Sequence, residues 1–171
     1  MIGISVFGTA IGPCGIAWGD RGIVGVQLPE ARAADTRDRL LDRFPDASDD
    51  SPPPDVQRAI ERIGALLDRG DADLSEVALD MDGVSPFHRR VYEVTRTIPP
   101  GETLSYGDVA AEAGSPGAAR AVGQALGRNP FAIVVPCHRV VAAGGRVGGF
   151  SATGGVSIKR RMLAIEGVQV G

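Results

Sequence analysis

Cysteine is scarce in this 171-residue chain: Cys14 and Cys137 are the only two, and they lie far apart in sequence. That spacing excludes a disulfide framework and leaves two free thiols. No apolar run approaches the roughly 20 residues of a membrane-spanning helix, so no membrane partner is expected. The start of the chain has no basic segment leading into an apolar one, so nothing in it directs export. Reduced thiols in a cytoplasmic protein are the simplest expectation. Cys14 has no cysteine or histidine near it in sequence, which favours a buried structural thiol over a metal ligand. Hydrophobic residues make up 43% and charged residues 23%, an ordinary balance for a globular chain long enough to bury its own core.

Charge is unevenly spread. Residues 1–85 hold eight arginines against sixteen Asp and Glu, a net of −8, whereas residues 86–171 hold ten Arg and Lys against five acids, a net of +5. Such a split fits a basic half that meets a polyanion and an acidic half that keeps the chain soluble, although an acidic solvated face gives the same count.

Short β-rich runs at residues 2–7, 14–18 and 23–28, separated by Gly, Pro and Asp clusters, predict an antiparallel meander with Trp18 packed in the core or at the sheet edge. A weak amphipathic helix is expected over 31–44, a loop over 46–54, and a better helix from Pro54 or Asp55 to a stop at Gly70. Residues 74–80 could add a strand. The acidic half therefore reads as a small α+β unit (1–80) without a catalytic constellation. Residues 81–85 form a candidate linker, and 86–171 form a second, mostly helical unit. There Ser85 can cap a helix that has Pro86 in its first turn and stops before Pro99-Pro100-Gly101. His88, near the start of that helix, reads as solvated. Ser105 caps a further helix over 106–113, and Gly114-Ser115-Pro116-Gly117 turns the chain into another over 118–126, a helix-turn-helix pattern. That last helix, Ala-Ala-Arg-Ala-Val-Gly-Gln-Ala-Leu-Gly, is rich in Ala and Gly, and Arg120 is the large side chain that stands out on it.

The stretch Asn129-Pro-Phe-Ala-Ile-Val-Val-Pro-Cys-His-Arg-Val-Val141 is the most informative. Residues 131–135 are apolar enough for a buried strand, Pro136 ends the run, and a thiol and an imidazole follow at Cys137 and His138. A nucleophile held still beside a base is one reading of this pair. A small buried hydrophobe is the other, and the pair alone does not decide between them.

The wider pattern decides. Pro99-Pro100-Gly101-Glu102-Thr103-Leu104-Ser105-Tyr106-Gly107, Gly117-Ala118-Ala119-Arg120-Ala121-Val122-Gly123, Arg128-Asn129-Pro130, Val135-Pro136-Cys137-His138-Arg139-Val140-Val141 and Leu163-Ala164-Ile165-Glu166-Gly167 occur in this order. Together they resemble the O6-alkylguanine-DNA alkyltransferases, also called methylated-DNA-protein-cysteine S-methyltransferases. The resemblance runs from Phe87 to Gly167. The acidic half is similar to that family only in layout, an α+β domain of RNase H-like arrangement before the active-site domain.

The resemblance implies a single-turnover DNA-repair enzyme in which Cys137 takes the alkyl group from guanine O6 irreversibly. It implies that His138 helps form the thiolate, that Glu166 orients His138, and that Tyr106 donates a proton to the departing base. The target nucleotide must leave the duplex, and Arg120 is similar to the family's finger that fills the gap. Ala118, Ala119, Ala121 and Gly123 then form a slim surface for the minor groove. Pro136, Val140, Phe150 and Ser151 line the pocket. Asn129 holds the turn carrying Val140, the backbone of Cys137 and Val140 accepts from the guanine amine, and Ser151 lies near O6.

The chain departs from the family pattern in two places: Phe150 stands where many members have tyrosine, and the loop 152–155 is longer than in some. No cofactor is implied. A zinc site would need more Cys and His in the acidic half than Cys14 alone, so no metal is expected. The expected partner is double-stranded DNA carrying O6-alkylguanine, met by a monomer. A damage-binding protein without chemistry would not need Cys137, and a thiol hydrolase would not need Arg120.

Overall fold

The computed structural model describes residues 1–171, which divide into two compact units. The first comprises Met1–Asp80 together with Pro130–Val134, and the second comprises Met81–Asn129 and Val135–Gly171.

In the first unit, β1 (Gly3–Thr9), β2 (Gly12–Gly19) and β3 (Gly22–Gln27) form the antiparallel meander. A two-residue strand, β4 (Ser48–Asp49), pairs parallel to β1 inside the segment expected to be a loop, giving the order β3-β2-β1-β4. α1 (Ala33–Arg43) packs on β2. It sits close because Gly15 has no side chain: a Cβ there would fall 2.5 Å from Leu40 Cδ1. Ile4, Ala17 and Leu40 are fully buried at that contact. The hydroxyl of buried Thr36 donates to the Pro13 carbonyl at 2.8 Å and secures the helix to β2.

α2 (Pro54–Arg69) begins at Pro54 and ends where Gly70 takes φ 80° and returns its N–H to the Leu66 carbonyl. Val56, Ala59, Ile63, Leu66 and Leu67 recur at helical spacing and are buried. Residues 74–80 do not make the expected strand. They contribute one bridge, Ile23 to Leu79, closed by Ile23 N–H to Ala78 O at 3.0 Å and Asp80 N–H to Ile23 O at 2.8 Å.

Residues 131–135 are fully buried, as their apolar character requires, but they are not a strand. They make single bridges and a turn in which Ile133 takes φ 75°, a conformation strained for a β-branched residue. Val26 pairs with Phe131 across a bridge, and the Pro130 carbonyl accepts from Val26 N–H at 2.9 Å and Arg43 Nη2 at 3.0 Å. Pro130–Val134 therefore belongs with the sheet of the first unit, where sequence reading gave it to the second.

The second unit begins with α3 (Pro86–Arg96), capped by Ser85. β5 (Leu104–Ser105) precedes α4 (Tyr106–Glu112), and Ser105 and Asp108 form a reciprocal capping box. Gly114 and Gly117, both at positive φ, turn the chain into α5 (Ala119–Gly127) and complete the helix-turn-helix. Tyr92 of α3 donates its hydroxyl to the Ala125 carbonyl at 2.7 Å, fixing α3 to α5. His88, expected in solvent, is half-buried with its ring 6.3 Å from Phe87 and 6.0 Å from Tyr92. A 3-10 turn at Cys137–Arg139 leads into β6 (Val140–Val141), which pairs parallel to β5. α6 (Gly155–Ile165) closes the unit.

Candidate active site

Cys137 opens the 3-10 turn, and its N–H donates to Val135 O at 2.7 Å while Arg139 N–H donates to Pro136 O at 2.8 Å. The pairing of Val140 with Leu104 and of Val141 with Ser105 holds the exit of the turn beside the start of α4, where Tyr106 stands. Cys137 is 8% exposed, and burial pushes its thiol up; a hydrogen bond from the Asn129 side chain and the charge of Lys159 pull it back down. A thiol in this setting needs a neighbouring base to become a nucleophile.

His138 and Glu166 come together as expected. His138 is fully buried, and its Nε2 lies 2.8 Å from Glu166 Oε2, although 28 positions separate them in sequence. The His138 Nδ1 is buried and has no protein hydrogen bond. Burial lowers the His138 pKa more than Glu166 raises it, so the ring stays neutral at neutral pH. Burial alone would push the Glu166 carboxyl up, but the bonds from His138 and Arg139 outweigh it and bring the value to about 2.

Two charged residues to which sequence reading gave no role lie in the site. Arg139 places Nε 2.8 Å from Glu166 Oε1 and Nη2 3.0 Å from Glu166 Oε2, and its Nη1 donates to Ile98 O at 2.7 Å. Lys159 is fully buried on α6 with Met162 and Leu163. Its Nζ donates to Val140 O at 2.7 Å, Gly149 O at 3.1 Å and the Tyr106 hydroxyl at 3.4 Å, and burial brings its pKa down to about 8. The available signal was position: Lys159 falls three and four residues before Met162 and Leu163, on the buried stripe of α6, and Arg139 interrupts a wholly buried run.

Tyr106 is half-buried, which pushes its phenol up and keeps it protonated. Gly148, at φ 74°, crosses its ring so closely that a Cβ there would meet the hydroxyl at 3.1 Å. Gly123, expected on the outer face of α5, lies beside the same ring, with a Cβ position 4.0 Å away. Ala118, Ala119 and Ala121 are half-buried at the start of α5, and Arg120 is exposed there.

Three of the expected pocket residues have partners in the structure. Asn129 Nδ2 donates to Val135 O at 2.9 Å, which secures the segment before the nucleophile. The Ser151 hydroxyl donates to Gly127 O at 3.0 Å, tying its loop to the end of α5. Phe150 stands with its ring 5.9 Å from Lys159 Nζ. Pro136 and Val140 are buried. The Cys137 carbonyl already accepts Val140 N–H and the Val140 carbonyl accepts Lys159, which leaves one lone pair on each for a ligand amine. No three His, Cys, Asp or Glu side chains cluster in a way that could hold a metal ion.

A helix-turn-helix and a base-flanked thiol within one unit define a class: group-transfer proteins that carry a reactive sulfur to nucleic acid. Residues 86–168 match the DNA-binding domain of 6-O-methylguanine DNA methyltransferase. A methylated-DNA-protein-cysteine methyltransferase of Methanothermobacter thermautotrophicus is 38% identical over 91% of this chain and 80% of its own length. Its counterpart in Mycolicibacterium paratuberculosis is 50% identical over 63% of each chain. Among solved structures, Mycobacterium tuberculosis OGT in complex with DNA superposes with a TM-score of 0.76 at 34% identity, covering 96% of this chain and 93% of its own. The O6-methylguanine-DNA methyltransferase of Pyrococcus kodakaraensis gives 0.73 at 31% identity, over 98% and 100%. The chain belongs to the methylated-DNA-protein-cysteine methyltransferase family.

Proposed function

We propose that this protein repairs duplex DNA by moving the alkyl group of O6-alkylguanine onto Cys137, once per molecule. The observation that carries the reading is the 2.8 Å bond between His138 Nε2, on the turn that holds Cys137, and Glu166 Oε2 at the end of α6. Glu166 is a carboxylate and can only accept, so His138 Nε2 bears the hydrogen and Nδ1 offers the lone pair. Nδ1 takes the thiol proton, directly or through a water, and the sulfur attacks the alkyl carbon. The S–C bond forms as the C–O6 bond breaks, and the bonding pair passes into the guanine ring. Tyr106 donates its proton to ring N3, so the base departs neutral. Imidazolium and phenolate remain, equal and opposite, and exchange with solvent restores both. The thioether does not reopen, so the protein is consumed.

Reaching O6 requires the nucleotide to leave the stack. Arg120, exposed on a helix rich in small residues, enters the space it vacates, while Ala118, Ala119 and Ala121 let the backbone of α5 approach the minor groove. The carbonyls of Cys137 and Val140 receive the guanine amine on their remaining lone pairs. Phe150 and Pro136 supply apolar walls, Asn129 steadies the nucleophile's segment, and Ser151 anchors the rim. No helix of the protein is long and apolar enough to cross a membrane. The site of action is the cytoplasm, because the chemistry needs Cys137 as a free thiol and reducing compartments keep it so.

Intact-mass analysis after mixing with a duplex containing O6-methylguanine tests the reading. The protein is expected to gain one methyl group on Cys137, and Cys137→Ala to bind the duplex without gaining any. Tight binding with an unchanged mass in the native protein would overturn the proposal.

A further inference from the structure

The family chemistry uses the Glu166 carboxylate as partner to His138, but His138 holds only one of its contacts. Oε1 accepts from Arg139 Nε at 2.8 Å, and Oε2 accepts both Arg139 Nη2 at 3.0 Å and His138 Nε2 at 2.8 Å. The third guanidinium nitrogen is committed to Ile98 O at 2.7 Å. Every nitrogen of the fork therefore has an acceptor, and the plane of the carboxylate is set by a rigid two-point clamp. Arg139 is 6% exposed and the Glu166 side chain 2%, so water screens this interaction little.

The geometry points to Arg139 as a positioning residue that keeps His138 neutral, with its hydrogen on Nε2, by neutralising Glu166. This rests on the alkyl-transfer reading and deepens it. A lone buried carboxylate 2.8 Å from an imidazole draws a second proton onto the ring, and an imidazolium cannot accept from Cys137. With Arg139 in place the Arg–Glu unit has no net charge, and burial of His138 then favours the neutral ring. The other charged group that acts on His138, the Lys159 ammonium on α6, opposes an extra proton. The Cys137 thiol on the same turn, and the phenols of Tyr92 on α3 and Tyr106 on α4 that interact with Cys137, add no charge at neutral pH. Glu166 is the one group that favours it, and Arg139 is clamped onto Glu166.

The test reads the ring directly. Only two histidines are present, so His88→Gln leaves His138 as the single signal in a 15N-histidine NMR titration. In that otherwise native protein, His138 is expected neutral with hydrogen on Nε2 between pH ~6 and ~8; an imidazolium, or hydrogen on Nδ1, would overturn the inference. Arg139→Gln is expected to raise the His138 midpoint by about one pH unit, and to move the acid limb of the single-turnover rate with O6-benzylguanine by the same amount. A slower reaction with an unmoved midpoint would mean that Arg139 is merely structural. Arg139→Lys keeps the charge and loses the fork, so its midpoint is expected within ~0.3 unit of native. A full-unit rise in the lysine variant would sink the charge argument even if the glutamine variant does not fold. The titration needs no substrate, so this inference can fail while methyl transfer to Cys137 stands, and the reverse.

Discussion

The ammonium of Lys159 lies 2.7 Å from the carbonyl oxygen of Val140, three residues beyond the nucleophile. From the same point it reaches Gly149 O at 3.1 Å and the Tyr106 hydroxyl at 3.4 Å, so one side chain on α6 ties β6, the rim loop and the head of α4 together. Its charge has no carboxylate partner within the site, which explains why burial brings it to about 8.

Replacing Lys159 with methionine keeps the volume and removes all three bonds. The expected outcome is alkyl transfer to free O6-benzylguanine slowed at least ~10-fold, because pocket walls held by a shared donor lose their registration. Stopped-flow measurement beside a thermal melt separates the cases. A rate within twofold of native would show that the three elements hold their places without the lysine.

Arg120 is exposed and makes no hydrogen bond or ion pair, so Arg120→Ala is expected to leave stability within about 0.5 kcal/mol. Repair of O6-methylguanine in a duplex is expected to fall by two orders of magnitude or more, while reaction with the free base changes by less than about twofold, since only the duplex needs unstacking. Equal losses on both substrates would remove Arg120 from the flipping step.

Acid should unfold the second unit through Glu166. Its folded pKa of about 2 lies below the ordinary 4.5, so its contribution is fully present above pH 4.5 and is lost as pH falls toward 2. His138 adds to this from higher pH, because a ring whose pKa is lowered by burial must be protonated on unfolding. Glu166→Gln is expected to flatten the stability profile below pH 4.5, read by urea denaturation at stepped pH. A profile as steep as native would assign the acid sensitivity elsewhere.

Local signals in the sequence suffice where they form an element on their own. Ser85 before Pro86, Ser105 before Tyr106, and Gly70 after an amphipathic run mark helix ends because each satisfies backbone groups nearby in sequence. The meander follows from alternation and its turns. Residues 131–135 misled because an apolar run records burial and nothing about φ; the left-handed turn at Ile133 depends on Val26 and Arg43, more than eighty positions away. β4 and β5–β6 pair two residues each, too short to leave a pattern. Arg139 and Lys159 escaped for a related reason. A charged residue in a buried stretch shows its partner only once Glu166, Ile98 and Val140 are brought to it.

The excursion of Pro130–Val134 into the first unit makes the chain cross the same boundary twice within a few residues, just before its reactive sulfur. A single cut at residue 80 therefore cannot yield two whole modules. The acidic piece would lose the bridge at Val26, and the basic piece would carry a five-residue loop stripped of the donors at Val26 and Arg43, whose two anchors, Asn129 and Val135, lead straight to Cys137. The first unit, through Val26 and Arg43, in this sense holds the segment that precedes the active-site turn in sequence. Shuffling it between relatives would have to carry its grip on Pro130 along.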